Sequence, residues 1–166
     1  MSGLAVWGWA AFLSFLPISE LRGAIPFAIA RGIPWYAAYP YAAALNALVA
    51  PVCWVFLSTL HRLLYGRAPD RGLRWYRNLF DRFVGRAREK LKGGVEKWGW
   101  LGIAVFVAIP LPVTGAWTGT LGAWVMGLPR GKTLIAVILG VFAAGAIVTS
   151  VTLLGIGALR IFVKTL

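Results

Sequence analysis

Apolar positions fall into long unbroken runs separated by short polar interruptions. Residues 37–60 form a run of 24 positions without a charge, and residues 134–159 one of 26. At about 1.5 Å of rise per residue, either run is long enough as a helix to cross a hydrocarbon core about 30 Å thick. Each is preceded by an apolar stretch that is cut in the middle. Trp7 to Leu16 gives way to Pro17-Ile18-Ser19-Glu20-Leu21-Arg22-Gly23-Ala24-Ile25-Pro26, after which Phe27 to Ala30 resumes. Trp100 to Ile109 gives way to Pro110-Leu111-Pro112-Val113-Thr114-Gly115, after which Ala116 to Met126 resumes. Arms of roughly ten residues reach only about 15 Å, half a bilayer. Each pair therefore predicts a helical hairpin that enters and leaves on one side, with Pro17, Gly23, Pro26, Pro110, Pro112, Gly115 and Gly119 as turn residues. The alternative is a kinked helix that spans fully at each place, giving four spans in parallel repeats.

The two halves correspond. Gly23-Ala24 matches Gly115-Ala116 at an offset of 92, and Gly32-Ile33-Pro34 matches Gly127-Leu128-Pro129 at 95. A hairpin plus one span crosses the membrane once in net terms, so two such units lie in opposite orientations, the arrangement of many transporters. The predicted fold is an all-α integral membrane protein, an inverted repeat of a re-entrant helical hairpin plus a transmembrane helix. The first repeat covers residues 1–60, with a hairpin at about 7–32 and a helix at about 37–60. A basic amphipathic cytoplasmic segment covers 61–98. The second repeat covers 99–166, with a hairpin at about 99–127 and a helix at about 134–159.

Composition supports lipid as the solvent: 60% of the chain is apolar and 13% charged, against roughly 25% charged in an ordinary globular protein. The 166 residues carry a net charge of +12. Eleven of the 17 basic residues lie in 61–98 with four of the five acidic ones, so the excess marks the cytoplasmic side. Trp75, Leu79, Phe80, Phe83, Val84, Ala87 and Leu91 recur there at three- and four-residue spacing, an amphipathic helix for an anionic membrane face or for packing across the bundle. With that stripe occupied, nucleic-acid binding is not expected. No basic residue precedes Arg22, so the N-terminal segment lacks the charged start of a cleavable signal and is expected to be retained. Cys53 lies alone in an apolar run and is expected to be an inert buried thiol.

Chemistry-bearing residues are few. Glu20 is the only carboxylate outside 61–98, and the hairpin places it near the midplane with Arg22, where ionisable groups line cavities or pair. Ion coupling at Glu20 is one expectation; a structural Glu20-Arg22 pair or a backbone cap is the other. Arg22 offers a fork suited to phosphate, beside freed backbone N–H groups that attract anions. The second break has no charge, but Thr114, Thr118 and Thr120 supply hydroxyls, so these join Arg22 as candidate substrate contacts. Gly115-x-x-x-Gly119 reads as close packing. Arg31, Arg130 and Lys132 border the membrane as snorkelling anchors or headgroup contacts. His61 is the only histidine, and no cluster, Walker loop, dinucleotide fingerprint or nucleophile elbow is present. Metal sites, cofactors and classical enzymatic chemistry are not expected.

The motif from Leu16 to Pro26, together with Pro110-Leu111-Pro112-Val113-Thr114-Gly115-Ala116-Trp117-Thr118-Gly119, resembles the small multidrug export protein family over nearly the whole chain. That family is similar to the DedA/VTT superfamily. The resemblance implies two re-entrant hairpins each followed by a transmembrane helix, and movement of undecaprenyl phosphate or other phospholipids with proton-dependent membrane homeostasis. Acidic and basic hairpin residues of that superfamily correspond by kind and place to Glu20 and Arg22; the second hairpin here departs from the pattern in carrying no charge. The expected function is an integral membrane transporter or lipid flippase for an anionic or amphipathic substrate, multi-pass in the plasma membrane, in contact with lipids and assembled as a homo-oligomer. A noncatalytic membrane scaffold or assembly factor is the alternative.

Overall fold

The computed structural model describes residues 2–66, 78, 95–111 and 114–164. Among these, six helices follow one another: α1 (Gly3–Phe15), α2 (Glu20–Ala30), α3 (Trp35–Gly66), α4 (Val95–Ala108), α5 (Ala116–Val125) and α6 (Arg130–Lys164). Two are long. α3 has 32 residues and α6 has 35, about 48 and 52 Å of helix, and each contains a stretch apolar enough to cross a membrane. The other four have 10 to 14 residues, at most about 21 Å and too short to span alone. They form two helix-break-helix pairs, α1/α2 and α4/α5.

The first break is shorter than the sequence suggests. Pro17 has no N–H for the helical ladder and pushes its predecessor out of the helical region. Accordingly Leu16 is extended at φ −68°, ψ 129°, and residues 16–19 form the turn. Gly23 and Pro26, expected in that turn, lie inside α2. The φ of proline is already helical, so α2 continues through Pro26 at the loss of one hydrogen bond, the one the Arg22 carbonyl would accept. Gly119 lies inside α5 rather than in the second turn. Pro110 stands in that turn, Gly115 caps α5, and Pro112 lies outside the described residues. Helices overrun their predicted ends: 61–66 belong to α3, 95–98 to α4, and 130–133 and 160–164 to α6. Asn78 is helical and exposed; the rest of the predicted amphipathic helix lies outside the described residues.

One turn is made twice, at the two Gly-x-Pro positions that correspond in sequence. α2 and α5 both end with a glycine in the left-handed region, Gly32 at φ 87° and Gly127 at φ 71°. In each the residue after the glycine donates back across the turn, Ile33 N–H to the Ala28 carbonyl and Leu128 N–H to the Ala123 carbonyl, both at 3.0 Å. This is a Schellman cap, followed both times by a proline that starts the next long helix.

The bundle is packed with small residues and clad in large ones. Ala24, Ala42, Ala43, Ala50, Ala116, Ala123, Ala136 and Ala144 are buried, whereas Leu48, Val52, Val55 and Phe56 of α3 and Ile135, Leu139, Phe142 and Val151 of α6 are exposed. Small residues let helices approach closely and large apolar ones face a lipid-like surround; in water such a surface would be a liability. A Cβ at Gly140 would stand 2.6 Å from the Ala104 carbonyl oxygen, which shows how closely α4 lies on α6.

Candidate functional site

The two breaks meet in the middle of the bundle. Trp117 at the start of α5 donates its indole N–H to the Phe15 carbonyl at the end of α1, 3.1 Å away. Arg22, half-buried in the first turn of α2, reaches the other break: its guanidinium donates to the Leu111 carbonyl and to Thr114 Oγ1, the latter at 3.3 Å. Thr114 Oγ1 also accepts from the Leu111 N–H at 3.1 Å, holding the second turn in shape. The cation therefore sits on a carbonyl of the turn that follows α4, one that also accepts the Thr114 N–H at 3.1 Å.

Glu20 takes the opposite end. Its carboxylate, 6% exposed, accepts the Trp117 backbone N–H at 3.4 Å and also faces the Ala116 N–H, so a negative group caps the positive end of α5. Gly115 makes this possible, because a Cβ there would fall on the Glu20 carboxylate oxygens. Its φ of −174° is ordinary extended backbone, so the requirement is for space. Glu20 itself has φ 51°, a conformation that costs a non-glycine residue about 1–2 kcal/mol and persists where surrounding contacts over-determine it.

Glu20 and Arg22 come together as the spacing predicts. Among the described residues, however, no hydrogen bond joins them; each bonds to the opposite break, which gives the cap expectation a definite geometry. Of the hydroxyls grouped with Arg22, Thr114 meets the guanidinium. Thr118 is exposed and accepts the Gly115 N–H at 3.0 Å, closing the first turn of α5. Thr120 is fully buried, one turn further along. Gly119 faces α4 and α6: a Cβ there would overlap Val107 Cγ2 and lie 3.8 Å from Val137 Cγ2. Arg31 stacks over Phe27, 5.2 Å from the ring centroid, while Arg130 and Lys132 are exposed in the first turn of α6. These three stand at helix ends, apart from the docked breaks.

One participant was legible in the sequence as an interior-facing residue but without its partner. Asn46, from the middle of α3, is fully buried and faces the Glu20 carboxylate. An amide inside a 24-residue uncharged run signals a bundle-facing position, but nothing in the sequence pairs it with residue 20. Among the described residues no group of three His, Cys, Asp or Glu side chains stands together.

A family profile described as "Putative small multi-drug export protein" matches residues 20–147, most of the chain. The chain belongs to this family. The match begins at Glu20, directly after the first break, and takes in α2, α3, the second break and α5, with Glu20, Arg22, Asn46 and Thr114 all inside it. Membership, with the two long apolar helices, gives the chain a transport-related role in a membrane rather than an enzymatic one. Among curated proteins and solved structures, none matches the chain.

Proposed function

We propose that the chain moves an anionic or amphipathic substrate, a phospholipid or polyprenyl phosphate, across the bilayer, with Glu20 as the ion-coupling group and Arg22 and Thr114 as the anion contacts. One observation carries this reading: in a bundle of small apolar residues, a carboxylate and a guanidinium occupy the junction of two helix breaks. Helix ends and ionisable groups are costly in lipid and belong to ion and substrate paths. The short helices support re-entrant hairpins, α1/α2 from one face and α4/α5 from the other, and the duplicated Schellman turns support an inverted repeat. Arg22 and Thr114, related by the offset of 92, touch each other, as expected for residues beside a pseudo-two-fold axis. Exposed Arg31, Arg130 and Lys132 then stand near the two membrane faces as headgroup contacts. The test is transport of a labelled polyprenyl phosphate or phospholipid in proteoliposomes against empty vesicles; rates independent of the protein for each amphiphile would refute it.

A second reading, a noncatalytic membrane scaffold, is favoured by the fact that both charges are bonded to protein backbone. It predicts normal growth when Glu20 is replaced at unchanged protein abundance. The transport reading predicts loss of function at unchanged abundance.

A further inference from the structure

Buried hydroxyls in this bundle usually turn back onto their own helix. Ser14 donates to the Ala10 carbonyl at 2.8 Å and Thr149 to the Gly145 carbonyl at 2.7 Å, each one turn back. Thr120 and Thr133 do not. Both are 0% exposed and their hydroxyls make no hydrogen bond to protein. Asn46, also 0% exposed, has the Glu20 carboxylate as a polar partner. Orphaned buried polar groups are costly and uncommon in native structures, so two hydroxyls of this kind in one small bundle ask for a common cause.

Their heights in the bundle supply it. Asn46 stands level with Glu20, which it faces, at the start of α5. Thr120 follows Ala116 by one turn on the same buried face, about 6 Å along the axis. The approach of Gly119 to Val137 sets the register of α5 on α6. That register puts Thr133, one turn before Val137, about 5 Å beyond Thr120, near the turn where α5 passes into α6. These are steps along the bundle axis, and buried polar positions hold water where apolar ones stay dry.

We propose that Asn46, Thr120 and Thr133 hold a file of internal water that carries protons between Glu20 and the end of the bundle where α5 turns into α6. The inference rests on Glu20 as the coupling group and names its access route. A hydronium in the file gives its proton to the Glu20 carboxylate, leaving a carboxyl group and a water; release is the reverse. Hydroxyl and amide groups both donate and accept, so each position passes the chain of hydrogen bonds onward. Arg22 is the charged group beside Glu20. α1 and α5 carry no charge; the charges of α4 are Glu96 and Lys97 in its first turn, and those of α6 are Arg130 and Lys132 in its first turn with Arg160 and Lys164 near its last. Those of α3 are His61 and Arg62, and the His61 ring stands 5.5 Å from that of Trp124 in the last turn of α5. Among the described residues, His61, Arg130 and Lys132 therefore stand around the mouth, and the positions between it and Glu20 are neutral.

The test reads proton access directly, without any substrate. In lipid nanodiscs the carboxyl stretch of Glu20, assigned by its disappearance in Glu20→Gln, is followed by infrared spectroscopy during pH titration and transfer to deuterated water. Thr120→Val and Thr133→Val keep shape and remove the hydroxyl. Each is expected to slow deuterium exchange at Glu20 about ten-fold or more with no loss of folded protein, and Thr120→Ser is expected to restore it. Asn46→Leu is expected to slow it as well. Exchange at the wild-type rate in both valine variants overturns the proposal, as does a Glu20 carboxyl that never titrates while the protein is folded. A titration that moves when sodium replaces choline in the buffer overturns it in favour of an alkali-cation site. Should no amphiphile be transported, slowed exchange in the variants still upholds the route and locates the failure in the transport reading.

Discussion

Gly115→Ala is the sharpest test of the docked breaks. The added Cβ would coincide with the oxygens of the Glu20 carboxylate, so either the first turn of α5 or the Glu20 side chain must move by more than a thermal fluctuation. The backbone is extended at residue 115 and accepts alanine without conformational strain, which makes the cost steric and electrostatic. Overpacking of this kind costs about 1–3 kcal/mol, and loss of the charge-assisted bond from the Trp117 N–H adds about 1.5–3 kcal/mol where Glu20 cannot find another partner. A destabilisation of roughly 2.5–6 kcal/mol is therefore expected, measured by denaturant titration of the purified protein in a mild detergent. Gly102→Ala is the control, because nothing lies within 4 Å of a Cβ there; it should be neutral or slightly stabilising. The diagnostic step is the double variant. With Glu20→Ala in place the overlap is gone, so adding Gly115→Ala should cost little and the two effects should fall short of additive by most of the cost of Gly115→Ala alone. Additive losses in that cycle would refute the contact between residue 115 and the carboxylate.

Glu20→Gln keeps size and most hydrogen bonding while ending protonation cycles; it should insert normally and lose the pH dependence of transport or of growth complementation at matched abundance. Arg22→Gln should instead weaken capture of anionic substrate and destabilise the breaks, since Glu20 is then left without its neighbouring cation. Equal loss of folded protein in both, repaired in the double variant, would assign the pair to structure. Cysteines placed at Tyr36, Asn78 and Arg130 in a Cys53→Ser background should label from outside, from the cytoplasm and from the cytoplasm; labelling of position 130 from outside alone would reject the hairpins. Gly32→Ala and Gly127→Ala should each destabilise by about 1–2 kcal/mol through their left-handed φ, measured by the same denaturant titration; a response from only one would mean that the two turns are not equivalent.

The parts of this fold that were legible in the sequence are those set by one residue's local physics. Charge-free runs gave the cores of α3 and α6, prolines 17 and 110 gave the breaks, and the paired Gly-x-Pro turns gave the repeat. Boundaries were less legible, because Gly23 and Pro26 punctuate a chain in general but are tolerated inside a helix that neighbours hold in place. The site was read as residues and missed as geometry. Glu20, Arg22 and Thr114 stood out because polar groups are scarce in this chain; that Glu20 caps α5, that Arg22 serves the Leu111 carbonyl, and that Asn46 faces Glu20 depend on which helices touch, which no local pattern encodes.

The uneven charge of the two breaks, which set this chain apart from the DedA pattern, has a physical account in the docked geometry. A broken helix pair leaves carbonyls free where the first helix ends and N–H groups free where the second begins. The second break offers one group of each kind to the first, the turn carbonyl of Leu111 and the Trp117 N–H at the start of α5. Arg22 meets the carbonyl and Glu20 meets the N–H, so one break supplies both signs and the junction is neutral in sum. A further charge on the second break would have no backbone end left to meet, and unpaired it would bear the full cost of burial. Thr114 suits the place because a hydroxyl can accept from Arg22 and still bond the turn around it. The same economy makes Glu20 consequential for the proposed coupling: a neutral carboxyl accepts the Trp117 N–H more weakly than a carboxylate and no longer offsets the charge of Arg22 beside it, so the proposed proton would bear on the junction of both breaks.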